Sequence, residues 1–185
     1  MPEQLQMIWP EEKLRALPAV LLPSDYTMRT WQPGDDDEFV RLMQLAGFDG
    51  WNLDSLRNAK NSALPDGIFL AVHTPSDALA ATAMATHLPA ENHPFGGELG
   101  WVAGHPDHRG RGLGMAVCTA VMQRYASAGY RRVYLKTDDW RLPAIKVYLK
   151  LGFLPFLFSP DVEQRWQEVC GELDWPIDIN GWPRC

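Results

Sequence analysis

The 185 residues are 46% hydrophobic and 22% charged, a globular composition able to bury a sizeable core, which excludes a disordered or fibrous chain. No run of about 18 apolar residues occurs and the start, MPEQLQMIWPEEKLR, lacks the pattern of a secretory signal, so no membrane association is expected. A net charge of −6 argues against a nucleic-acid partner. The three cysteines, Cys118, Cys170 and Cys185, are too scattered for a disulfide framework or a zinc site. The reading is therefore a cytoplasmic protein with no metal.

In chain order, residues 1–25 read as an irregular lead-in with one short helix near 11–17, stopped by Pro18. Residues 26–31 alternate as a first strand. Gly34 and the acids Asp35 to Asp37 open a helix whose stripe is Phe39, Leu42, Met43 and Ala46, and Gly47 ends it. A second helix is expected over 54–62. Strands over 68–73 and 79–87 flank a Pro-Ser-Asp turn and form a hairpin. Residues 89–97 are a loop and 98–104 a strand, in which Gly100 signals a bulge or a close backbone approach.

The longest helix is expected over 112–128, with Leu113, Ala116, Val117, Ala120, Val121 and Tyr125 at helical spacing and Gly129 as its stop. A strand over 132–137, a helix over 143–151, a strand over 153–158 and a helix over 162–173 complete the chain. Strand–helix–strand alternation after residue 97 implies an α/β sheet whose strands flanking the long helix run parallel. The segment 26–185 is read as one domain.

Charge is unevenly spread. Residues 101–150 hold nine Lys/Arg against three acids, so a basic segment sits on an acidic body. That pattern fits a locally held anion and a cationic second partner. Within the segment, the run Val102-Ala103-Gly104-His105-Pro106-Asp107-His108-Arg109-Gly110-Arg111-Gly112-Leu113-Gly114 joins a strand to the long helix. Its glycines expose backbone N–H groups at a helix N-terminus, where the dipole favours a phosphate. It is not the GxxxxGK[ST] phosphate loop, and its glycine spacing does not suit a dinucleotide fingerprint.

Arg109-x-x-Gly112-x-Gly114 resembles the [Q/R]xxGx[G/A] signature of the GNAT superfamily of N-acetyltransferases. About thirty residues on, Ala144 to Phe153 resembles the second signature of that family, AxxxYxxxGF. The resemblance implies an α/β (α+β) fold with a mixed, partly parallel central sheet flanked by helices and a bulged fourth strand. It implies acetyl-CoA as cosubstrate, its pyrophosphate on Arg109, Gly110, Arg111, Gly112, Leu113, Gly114 and Met115, and its pantetheine along Val102, Ala103 and Gly104. By the same resemblance Tyr148 is the candidate proton donor to the leaving thiolate, and Glu98 the candidate base for the attacking amine.

Where the family carries an Asn ahead of the second signature, this chain has Arg141, a further candidate for the cofactor, with Asp138 or Asp139 as alternative helix caps. The expected acceptor is an amine of a small molecule or peptide, favoured cationic by the acidic body. Trp31, Trp51, Trp101 and Trp140 are either its aromatic pocket or core. His87, His105 and His108 are weaker candidates for the base, and Glu91 and His93 sit in a loop near the acceptor. Cys118 reads as a small core residue. The competing reading is a non-catalytic acyl-CoA-binding or regulatory module of the same fold. A homodimer is left open.

Overall fold

On either side of the Thr74-Pro75-Ser76-Asp77 turn the sequence is mostly apolar, and it forms the two longest strands of the protein, β3 (Ala63–His73) and β4 (Ala78–His87). These centre one half of a seven-stranded sheet in a computed structural model that describes residues 3–185. The other strands are β1 (Leu5–Trp9), β2 (Tyr26–Thr30), β5 (Gly97–Gly104), β6 (Val133–Thr137) and β7 (Leu154–Phe156). Their order is β2-β3-β4-β5-β6-β1-β7, antiparallel throughout except for β5 beside β6. The helices are α1 (Asp36–Leu45), α2 (Leu53–Ser62), α3 (Leu113–Ser127), α4 (Leu142–Leu151) and α5 (Pro160–Glu172).

Period-2 alternation along the strands sends side chains to two cores. One face packs Leu5, Met7, Trp9, Leu99, Val133 and Leu135 against Val117, Val121 and Tyr125 of α3 and against Tyr148 and Trp166 of the later helices. The opposite face packs Leu70, Val72, Met84 and Ala103 against Phe39, Leu42 and Met43 of α1 and Trp51 and Leu56 near α2. α3 is apolar around most of its circumference because sheet and α4 enclose it; nine of its fifteen residues are buried. Each fully buried large apolar side chain there contributes roughly 1.5–3 kcal/mol.

Four expectations are corrected. The lead-in is not irregular throughout: Leu5–Trp9 forms β1 in the interior of the sheet, between β6 and β7, while residues 16–25 carry no helix or strand. Ile8 packs with Tyr134 and Phe156 on the second face, so both faces of β1 are buried and only Gln6 interrupts its apolar run. The short helix after it is a 3₁₀ turn, Glu11–Arg15, ending before Pro18. β7 is half the expected strand, because it pairs only with Gln6 to Ile8.

The fourth correction concerns the bulge. Gly100 keeps its partner Met84, while Trp101 and Val102 together face Ala83. Trp101 takes φ +52°, a left-handed conformation normally left to glycine or asparagine. The extra residue reverses the alternation, so Trp101 joins Glu98 on the face of α1 and α2 rather than opposing it.

Candidate functional site

The glycine run folds into a turn whose left-handed backbone disfavours any residue with a side chain. After a single 3₁₀ turn, Pro106–His108, the chain takes φ +73° at Gly110 and φ +76° at Gly112, and no protein atom lies within 4 Å of where a Cβ would stand at either. Gly112 begins α3, its carbonyl accepting from Ala116 N at 3.1 Å. The N–H groups of Leu113, Gly114 and Met115 therefore have no acceptor within the helix, no side chain caps them, and the first turn carries no acid. Arg109 and Arg111 flank the turn, exposed. Donors, dipole and guanidinium groups give this mouth the chemistry of an anion cradle.

Leading to the turn is a split in the sheet. β5 and β6 pair only at Gly97–Val133 and Glu98–Tyr134. Beyond that apex β5 bonds only to β4 and β6 only to β1, leaving two backbone edges facing each other. Val102, Ala103 and Gly104 line the β5 edge on the way to the turn. An edge with free N–H and C=O groups suits an extended ligand that carries amides.

The apex is locked by Tyr125 from α3. Its hydroxyl accepts from Thr86 N at 2.8 Å and lies 2.9 Å from Thr86 O and 2.7 Å from Glu98 O. A Cβ at Gly97 would overlap the Tyr125 ring, which is why glycine stands where the strands part. Glu98 itself projects to the α1–α2 face. One carboxylate oxygen, Oε2, is buried without a hydrogen-bond partner. Burial pushes its pKa up, opposed by the Tyr134 hydroxyl and by Lys136.

Tyr148 lies on α4, 6% exposed, its ring 6.3 Å from Phe153. Burial pushes its phenol up, Cys118 adds to this, and Arg141 pulls the other way. Cys118 is a buried core thiol on α3, pushed up to about 12 by burial. Arg141 is engaged by protein groups: its Nε donates to Asp138 at 3.1 Å, and its guanidinium stacks 4.3 Å from the Phe48 ring and 4.5 Å from that of Trp140. Neither Asp138 nor Asp139 caps α4; Asp138 is taken by Arg141 and Gln4, Asp139 by Arg165.

Aromatic side chains rim the α1–α2 side. Trp101 meets Trp51 edge-on at 4.7 Å and Phe48 at 6.2 Å, and Trp101 and Trp140 remain 38% and 69% exposed. Trp51 belongs to the core, and Trp31 carries the Lys60 ammonium 3.4 Å above its ring. The histidines fall in separate places, three of them together. His87 bonds Tyr130 at 2.8 Å, and His108 bonds Tyr26 at 2.7 Å in a cluster with His73 and His105 beside the glycine turn. Glu91 stays in the loop between β4 and β5.

His93 lies in the same loop, but its side chain is fully buried. Its Nδ1 accepts from Arg132 Nε at 3.2 Å, which leaves Nε2 to donate to Gln6 Oε1 at 2.7 Å, and its ring stacks on Tyr134 at 3.9 Å. Sequence reasoning placed Tyr125 on the stripe of the long helix but missed the roles of the Tyr125 and Tyr134 hydroxyls, since a tyrosine in an apolar helix or strand gives no sign of what its hydroxyl meets. Among the described residues no group of His, Cys, Asp and Glu is disposed to hold a metal, and no helix is long and apolar enough to cross a membrane.

Comparison with known proteins agrees with this architecture. Residues 25–153 match the profile of the acetyltransferase (GNAT) family. A mycothiol acetyltransferase of Saccharomonospora viridis is 32% identical over 148 residues, covering 74% of this chain and 48% of that protein. The chain spans about half the length of the curated relatives it matches. Among solved structures, a GCN5-related N-acetyltransferase from Sphaerobacter thermophilus superposes with a TM-score of 0.66 at 23% identity, covering 83% of this chain and 49% of that one. A tandem GNAT protein from the clavulanic acid biosynthesis pathway gives 0.62 at 23% identity over 84% of this chain and 50% of its own. At that identity the likeness is one of fold.

Proposed function

The chain belongs to the acetyltransferase (GNAT) family, and on that footing we propose that it transfers an acetyl group from acetyl-CoA to an amine by direct attack. The observation that carries the reading is the glycine turn at the mouth of α3, continuous with the unpaired β5 edge. Free amides from Gly110 to Met115 suit a pyrophosphate, and Arg109 and Arg111 add charge. The edge at Val102, Ala103 and Gly104 suits the two amides of pantetheine. Acetyl-CoA supplies the activated thioester.

The remaining work falls to side chains. Glu98, at the closed end of the split, takes the proton that the amine must lose; a carboxyl raised by burial is a better base near neutrality than an exposed one. Tyr148 returns a proton to the leaving thiolate, and its raised pKa keeps the phenol protonated until that step. A backbone N–H on the bulged strand is suited to the charge that develops on the carbonyl oxygen. Holding both reactants along a rigid strand supplies proximity. Arg141, stacked between Phe48 and Trp140, is better suited to shaping the acceptor side than to gripping the cofactor.

The acceptor is proposed to be a small-molecule amine bordered by Trp101, Phe48 and Trp140. The test is calorimetric titration with acetyl-CoA, followed by an amine panel monitored for free CoA thiol. The panel includes the amine substrate of mycothiol acetyltransferases, because relatives bear that name. Binding with amine-dependent thiol release is the expected result. Binding without release on any amine would favour the acyl-CoA-binding module, and absence of binding would remove the assignment.

A further inference from the structure

Glu98 and Tyr134 are the last pair that β5 and β6 share before they part. Register partners on neighbouring strands send their side chains to the same face, which sets the Tyr134 hydroxyl beside the Glu98 carboxylate. That hydroxyl donates to Leu88 O at 2.6 Å, and Glu98 Oε2 is left buried without a partner. One proton thus stands between two acceptors, a carbonyl and a carboxylate. A phenol has a single O–H, so it can satisfy only one at a time.

The ring that carries this hydroxyl is held still. His93 stacks on it at 3.9 Å and 15°, and Gln6 and Arg132 fix His93 from either ring nitrogen. Arg132 is in turn tied to Asn92 O at 2.9 Å. Only the O–H bond is left free to rotate. The titratable and charged groups around Glu98 are Tyr134 and Lys136 from β6 and Tyr125 from α3, with His93 and Arg132 behind Tyr134.

We propose that Tyr134 is a positioning residue for Glu98, its hydroxyl turning from the Leu88 carbonyl to the carboxylate when Glu98 is ionised and back when Glu98 holds a proton. The proposal rests on the reading of Glu98 as the base. No covalent bond changes at Tyr134; the proton gained by Glu98 is the one the acceptor ammonium loses. The device keeps a buried carboxylate from being stranded without a donor, while leaving it protonatable. Without it, Glu98 would ionise only at higher pH.

The test is a carbon-13 NMR titration of glutamate carboxyls in the wild-type protein and in Tyr134→Phe, with resonance assignment by Glu98→Gln. The Glu98 pKa is expected to rise by about one unit in Tyr134→Phe, the size expected for a lost hydrogen bond to a charge. The acid limb of kcat/KM is expected to move with it, while KM for acetyl-CoA stays unchanged. Phe keeps the ring stacked on His93; should the variant nonetheless unfold, 2,3-difluorotyrosine at 134 keeps ring and hydroxyl, and its more acidic phenol is expected to lower the Glu98 pKa. A Glu98 titration unmoved by either change would overturn the coupling. Full turnover in Glu98→Gln would instead overturn the base assignment, with the titration still deciding whether the two groups are coupled.

Discussion

At the scale of single residues, burial decides what the titratable groups of the site can do. Tyr148 has a phenol that burial holds protonated, so removing its hydroxyl should cost turnover and spare binding. Tyr148→Phe is expected to lower kcat about 100-fold, within the range for a general acid, with acetyl-CoA affinity changed less than twofold by calorimetry. Equal turnover would remove the donor role. Glu98 makes a prediction about stability. Its folded-state pKa lies above the unfolded value, so the folded state binds the proton more tightly, and stability falls as pH rises from about 4.5 through the raised value. Glu98→Gln is therefore expected to melt higher than wild type at pH 8, with the gap closing below about pH 4.5. A constant gap across that window would mean that the carboxyl is not perturbed.

At the scale of elements, the decisive feature is where regular pairing stops. The sheet opens between β5 and β6 because Tyr125 bonds the backbone at the apex while the bulge at Trp101 bends β5 away. α3 begins where the open edge ends, so its unpaired amides and the strand edge form one continuous polar track. Gly112→Asp would force a side chain into a left-handed φ and place a negative charge at the helix mouth. The expected outcome is loss of measurable acetyl-CoA affinity with a cooperative thermal transition retained. A variant that still bound the cofactor at wild-type strength would show that the turn does not hold it.

At the scale of the whole molecule, β1 ties the ends of the chain together, lying between β6 and β7 with Met7 and Leu5 fully buried. Met7→Ala is expected to cost about 2–5 kcal/mol. For a chain of this length each kcal/mol lowers Tm by about 2–4 °C, and a drop under 2 °C by calorimetry would contradict the interior position of β1. Gln6 extends the effect to the site, since it is the β1 residue that holds His93 against Tyr134.

Much of this was legible in the residues themselves. The glycine turn and the long helix after it follow from local rules, because backbone freedom at glycine, helical periodicity and capping act within a few residues; the parallel pair follows from the alternation of strand and helix, and the second signature was legible only as a resemblance to the family. β1 was not legible: five residues, LQMIW, carry no periodicity that separates a strand from a lead-in, and only pairing with β6 and β7 makes them one. The bulge fell at Trp101 rather than at Gly100 because packing against Trp51 and Phe48 outweighed the local preference for glycine. The polar chain from Gln6 through His93 to Tyr134 and Glu98 joins positions up to 128 residues apart. Which hydroxyl faces which carboxylate is settled by strand register, and register across such distances is a property of the folded sheet.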